Sequence, residues 1–135
     1  MAAFATAVGA GDHGDERLDW LLCDHERHIV RLIQRHMERA GHTVVCTHDG
    51  QAAIDETQKR IENGEKVFDK IVLGLLLPKK DGFEVLRWIR THPQTDKIWV
   101  ALKIAKSQDY EVFQEMPYTA DMYFTDPVNP RDLLR

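Results

Sequence analysis

Asp24, His25 and Asp126 are the side chains of this 135-residue chain best placed to do chemistry. Asp24 closes the apolar run "LDWLLCD" (18–24) with His25 directly after it, and Asp126 closes "ADMYFTD" (120–126). If both runs are strands of an open parallel sheet, all three residues stand at its carboxyl edge, where ligands gather. One imidazole with two carboxylates can hold Zn²⁺ or a similar ion. No fourth ligand is evident, so the preferred reading is a hydrogen-bonded polar cluster, and neither a metal nor a cofactor is expected. Lys103 lies inside the apolar run "KIWVALKIA" (97–105). It either reaches toward Asp126 or another acid, or snorkels to solvent from the strand edge. Gly74 interrupts "IVLGLLLP" (71–78) and brings no side chain to the same edge.

The elements that must position these residues alternate strand and helix. The run 18–24 reads as strand one. "ERHIVRLIQRHMERAG" (26–41) reads as a helix with Ile29, Ile33, Met37 and Ala40 on one stripe and Gly41 as its stop. "HTVVCTH" (42–48) is strand two. "DGQAAIDETQKRIENG" (49–64) is a second helix with Ala53, Ile54, Thr57 and Ile61 inward and Gly64 as its stop. Strand three runs through Leu75–Leu77 to Pro78, followed by a "KKDG" turn and the helix "GFEVLRWIRTHP". Strand four is 97–105; "SQDYEVFQEM" is a weaker helix cut off by Pro117, which lacks a backbone donor. Strand five is 120–126, and "NPRDLLR" opens a last helix with Asn129 and Pro130 suited to its start. The pattern predicts an α/β doubly wound parallel sheet of five strands with helices on both faces. Residues 1–17 read as a flexible lead-in and 18–135 as one domain.

Composition narrows the function classes. A net charge of −4 and the lack of a basic run argue against direct nucleic-acid contact. The longest apolar stretch is about eight residues, against roughly 20 for a membrane span. The N-terminus lacks the basic start and apolar block of a secretion signal. Cys23 and Cys46 therefore read as reduced core thiols of a cytoplasmic protein, with a disulfide between neighbouring strands as the lesser alternative. Of the histidines, His28, His36, His42 and His92 fall on helix faces or turns and are expected to be solvated. Trp20 is expected to be buried, and Trp88 and Trp99 to pack in the core or at its rim.

The segments "DHERHIVRLIQRHMERAGHTVV", "VLGLLLPKKDGFEVLRWIR", "IWVALKIAKSQD" and "ADMYFTDPVNPRDLL" together resemble the response-regulator receiver domain, from about residue 18 to the C-terminus. The resemblance implies a flavodoxin-like strand order of 2-1-3-4-5. It also implies aspartyl phosphorylation by a partner histidine kinase. An acidic pair after strand one holds Mg²⁺, an aspartate ending strand three takes the phosphoryl group, and a Thr or Ser ending strand four and a Lys ending strand five grip it. Carried over by position, the acidic pair is Asp24 and His25 and the nucleophile position is Gly74. The hydroxyl position is Ile104, and the lysine position, just before Pro127, is Asp126.

One of five roles is filled. Glycine has nothing to attack with, Ile104 cannot donate to a phosphoryl oxygen, and Asp126 puts an anion where a cation is needed. Phosphate acceptance by Asp24 or Asp81 instead is disfavoured, and "DHERH" lacks the small donors of a flavin-phosphate cradle. The reading is a degenerate, phosphorylation-independent receiver that is not an enzyme and serves as a protein-interaction module in signal transduction. Its alternative is a switch sensing a metal, ligand or pH in the remodelled pocket. The resemblance makes helix four, strand five and helix five the partner or homodimer face. On it, Tyr123 is the ring that reports phosphorylation, here expected outward, and Pro117 and Tyr118 remodel the end of helix four.

Overall fold

The computed structural model describes residues 17–105 and 110–125. They form β1 (Asp19–Cys23), α1 (Arg27–Arg39), β2 (Thr43–Thr47), α2 (Gly50–Glu62), β3 (Lys70–Gly74), α3 (Gly82–Arg90), β4 (Trp99–Ile104), α4 (Tyr110–Gln114) and β5 (Met122–Thr125). The five strands make one sheet in the order β2-β1-β3-β4-β5, and every pairing is parallel. The order reverses at β1, so the carboxyl ends of β1 and β3 flank the crevice where an open α/β sheet places its site.

Alternation along each strand divides the core into two layers. Leu21, Cys23, Ile71, Leu73, Val100, Leu102 and Ile104 pack with Ala53 and Ile54 of α2 and Val85, Leu86 and Ile89 of α3. On the opposite face, Trp20, Leu22, Val72, Ala101 and Phe124 pack with Val30, Ile33 and Met37 of α1. Full burial of one such aliphatic side chain contributes roughly 1.5–3 kcal/mol. The buried stripe of α1 is thus centred on Val30 rather than on Ile29, and Ala40 is exposed. Gly41 and Gly64 follow α1 and α2 at φ +97° and +69°, the left-handed stops the sequence predicts.

The expected third strand is shorter than its apolar run. β3 ends at Gly74, and Leu76 is 70% exposed. The Leu75 N–H still donates to the Lys103 carbonyl at 3.0 Å, but the Leu75 carbonyl turns to accept from the Gly82 N–H at 2.8 Å. The chain thereby leaves the sheet, and Gly74 is a strand terminus rather than a strand interior.

Of the four histidines expected to be solvated, His36, His42 and His92 are packed instead, and His42 and His92 each lie near an element end that offers a ring or a backbone group. His42 meets Trp20 edge-on at 5.9 Å, and the Leu18 N–H donates to its Nδ1. His92 stacks on Trp88 at 4.2 Å, and its Nδ1 lies 2.6 Å from the Trp88 carbonyl. His36 is half-buried, and only His28 of the four is exposed. Cys23 and Cys46 are both free thiols. β1 pairs with β2, but Leu22 is opposite Cys46 and Cys23 opposite Thr47, so the sulfurs face different layers and a disulfide is ruled out. Trp20 is fully buried, as expected. No described helix is long and apolar enough to cross a membrane. Residues 1–16 of the lead-in expected over 1–17, Asp126 and the last predicted helix lie outside the described residues.

Candidate functional site

The carboxyl edge of β1 and β3 is built by three short loops. Asp24 follows β1 directly, and its N–H donates to the Thr47 carbonyl at 3.3 Å. The turn 24–26 is closed by the Glu26 N–H donating to Asp24 Oδ1 at 3.2 Å. Glu26 sits at the N-cap of α1, yet its side chain makes no capping hydrogen bond. In α2 and α3, by contrast, Asp49 and Asp81 accept from the Ala52 and Glu84 N–H groups at 2.7 and 2.8 Å. The Glu26 carboxylate is directed into the site instead.

Lys103 explains that direction. Its Nζ lies 2.5 Å from Asp24 Oδ2 and 3.3 Å from Glu26 Oε1, with the lysine side chain only 10% exposed. Of the two readings open from the sequence, Lys103 takes the inward one and finds an acid on β1 and another on α1. The other oxygen of Asp24, Oδ1, is 3.3 Å from His25 Nδ1. Asp24 and His25 therefore do come together, joined by Glu26, whose role the sequence reading missed. A glutamate at the N-cap of a helix looks like an ordinary solvated residue. Its one signal was the lysine inside an apolar strand, which needs a counter-charge if it turns inward.

Gly74 completes the arrangement. It pairs in register with Lys103 on β4. A Cβ at position 74 would lie 3.1 Å from Asp24 Oδ2 and 3.2 Å from Asp24 Cγ, tighter than ordinary contact. The oxygen it would crowd is the one that holds Lys103. Below the ion pair is a cavity of about 20 Å³ lined by Leu22, Val30, Val72 and Phe124, room for about one water. Above it a cleft of about 240 Å³ opens between His25, Glu26, Leu75, Leu76 and Ile104. Ile104 is 3% exposed and belongs to the apolar core, so it offers the cleft a hydrocarbon wall.

Among the described residues, a metal ion would have to use Asp24, His25 and Glu26, whose ligand atoms lie within 4.8 Å of one another. Two of those three carboxylate and imidazole groups already face the Lys103 ammonium. Thiol chemistry is remote as well. Burial pushes the Cys23 thiol up to about 11 against the pull of a Thr47 hydrogen bond, and burial with the nearby Glu38 pushes Cys46 up to about 11. Asp81 caps α3.

At the far edge of the sheet, Tyr123 is half-buried and stacks on Phe113 at 6.3 Å. Its hydroxyl accepts from the Ala120 N–H at 2.9 Å and donates to the Phe113 carbonyl at 3.5 Å. Pro117 is exposed and Tyr118 half-buried after the short α4, while Val112 on α4 is 58% exposed.

Comparison with known proteins agrees with the fold. The family model described as the response regulator receiver domain matches residues 20–135. The alkaline phosphatase synthesis transcriptional regulatory protein PhoP of Bacillus subtilis (strain 168) is 34% identical over 115 residues, 84% of this chain and 44% of its own length. The transcriptional regulatory protein CpxR of Escherichia coli (strain K12) is 29% identical over 114 residues, 84% of this chain and 45% of its own. The chain spans less than half the length of these relatives. Among solved structures, the phosphorylated cyanobacterial phytochrome response regulator RcpA is 28% identical with a TM-score of 0.73, covering 87% of this chain and 86% of its own. The chemotaxis response regulator CheY4 of Vibrio cholerae shares the fold at 21% identity and a TM-score of 0.76, over 87% of this chain and 93% of its own.

Proposed function

This chain belongs to the response regulator receiver domain family, and from that premise we propose that it is a phosphorylation-independent member that works by binding protein partners in a signalling complex. The observation that carries the reading is Gly74, which ends β3 where the family's phosphoacceptor belongs and lies beneath the Asp24–Lys103 ion pair. A phosphoryl group needs a nucleophile and a cationic grip. At this edge the nucleophile position has no side chain, the hydroxyl position is the buried Ile104, and the nearest ammonium among the described residues is already engaged by two carboxylates. Fold and ancestral activity are separable, and a fold can be kept for its surface. On this reading the domain is not an enzyme, needs no cofactor and acts in the cytoplasm.

The contact surface we assign is the α4–β5 face together with the last helix that the sequence predicts, which lies outside the described residues, serving a partner or a second copy of the chain. Val112 and Met116 are exposed there beside Tyr118 and the Phe113–Tyr123 stack. The hydrogen bonds of the Tyr123 hydroxyl to Ala120 and Phe113 support a ring held in a single state rather than a toggling one. The names of PhoP and CpxR describe transcriptional regulators, and a regulatory assembly is the setting proposed here.

A second reading, a pocket that senses a small ligand, or pH through His25, has the 240 Å³ cleft beside His25 and Glu26 in its favour. Amide NMR spectra with and without beryllofluoride and Mg²⁺, which together mimic a phosphoryl aspartate, separate the readings from the family's usual activity. An unchanged spectrum is expected. Saturable shifts around Gly74 and Lys103 overturn the proposal.

A further inference from the structure

The family's chemistry implies a divalent cation at this edge, and the described residues there do not fit one. We propose that Lys103 is a resident cation: its ammonium takes the charge-balancing place of a metal ion among Asp24, Glu26 and His25, so that the site refuses Mg²⁺ and Mn²⁺. The inference rests on the reading above only for the identity of the pocket.

Three independent features point the same way. Both Asp24 oxygens are committed, Oδ2 to the Lys103 ammonium at 2.5 Å and Oδ1 to the Glu26 N–H at 3.2 Å. Glu26 gives up its own helix cap, and its carboxylate lies 3.3 Å from the ammonium. Gly74 leaves open the space that this pairing uses, because a Cβ there would stand 3.1 Å from the oxygen bonded to Lys103. A snorkelling lysine would need none of these. Mg²⁺ demands near-octahedral oxygen ligands at about 2.1 Å and keeps several waters. To sit on Asp24 Oδ2 it would have to displace a buried ammonium, and beside that ammonium it would meet like charge at short range. The side chains of Lys103 and Asp24 are only 10% and 13% exposed, so bulk solvent does little to screen that repulsion.

The resident cation also differs from a metal in being tethered. A metal ion can leave and let the acids be read by another ligand, whereas Lys103 holds β4, the end of β1 and the start of α1 together permanently. The edge thereby keeps its counter-charge without any exchangeable ion, as a constitutive binding module requires.

The test is Mn²⁺ titration followed by the electron paramagnetic resonance signal of the free ion, on the full chain. The proposal expects no saturable binding by the wild type in the low-millimolar range. Lys103→Met should bind one equivalent at least about a hundredfold more tightly, and adding Asp24→Asn should abolish it. One equivalent bound by the wild type with the affinity of Lys103→Met overturns the proposal. So does a folded Lys103→Met, or the longer polar Lys103→Gln, that gains nothing. Should Lys103→Met lose its fold by circular dichroism, Mn²⁺ must restore it, since the acids then lack their cation; no rescue overturns the proposal too. None of these outcomes touches phosphoryl acceptance at position 74, which acyl-phosphate labelling tests separately.

Discussion

Lys103 on β4 and Asp24 after β1 meet at 2.5 Å across the end of β3, over the one residue there without a side chain. The pair and Gly74 therefore depend on each other. Gly74→Ala brings a Cβ to 3.1 Å from Asp24 Oδ2 and is expected to cost about 1–3 kcal/mol of stability. In a Lys103→Met background, where Asp24 is free to move aside, the same change should cost less, by about 0.5 kcal/mol or more. Urea denaturation of the two single variants and the double variant measures that coupling. Strict additivity contradicts the interlock.

Gly82 opens α3 in close approach to the backbone at the end of β3. A Cβ there would fall 2.2 Å from the Gly74 carbonyl oxygen, a contact that only backbone movement relieves. Gly82→Ala is expected to destabilise by about 3 kcal/mol or more, although alanine is the better helix former. A thermal midpoint equal to that of the wild type would show that the β3–α3 loop yields easily.

Arg90 ties the end of α3 to the connection that carries Tyr118. Its Nη1 donates to the Asp96 and Ile98 carbonyls, its Nε to Thr119, and its Nη2 to Asp121 Oδ2 at 2.9 Å. The same Asp121 oxygen accepts from the Val100 N–H. Arg90→Met should cost about 2–3 kcal/mol and raise amide exchange over 117–121, read by hydrogen–deuterium exchange mass spectrometry. Faster exchange confined to α3 itself goes against this assignment.

His42 makes stability depend on pH. Burial, then the positive charge of Lys70, lower its pKa from the usual 6.5, and its Nδ1 is used as an acceptor by the Leu18 N–H. The folded state thus favours the neutral ring. Its contribution is complete above pH 6.5 and is lost as pH falls through that value toward the lower folded one. Asp69 acts at lower pH. Burial raises its pKa, but hydrogen bonds from Lys66 and the Asp19 N–H and the charges of Lys66 and Arg60 outweigh that and hold it below 3.8. Thermal midpoints measured from pH 8 to 5 should fall in the wild type and fall less in His42→Asn. Identical slopes would remove His42 from the account.

How much of this was legible beforehand follows from what each signal encodes. The alternation of strand and helix and both helix stops were readable, since apolar runs and left-handed glycines are local features of the chain; the strand order followed only from the resemblance to the receiver family. The bare position at Gly74 was readable too, because it is a matter of register along one strand. The partner of Lys103 was not. Asp24 and Glu26 are roughly eighty residues away, and nothing in the sequence distinguishes an inward lysine from a snorkelling one. The triplet Leu75–Leu77 read as strand because hydrophobicity alone does not reveal a turn; the exposed Leu76 belongs to the loop that carries the backbone from Gly74 to Gly82. The packed histidines were missed for a related reason: a ring accepting from or lying against the backbone of a nearby element leaves no periodic trace.

The most direct test of the central claim is the intact mass of the protein after incubation with acetyl phosphate and Mg²⁺. The account predicts an unmodified wild-type mass, with no phosphoryl adduct that hydroxylamine removes. A stoichiometric, hydroxylamine-labile adduct on the wild type would contradict it, because another carboxylate would then be doing what Gly74 cannot.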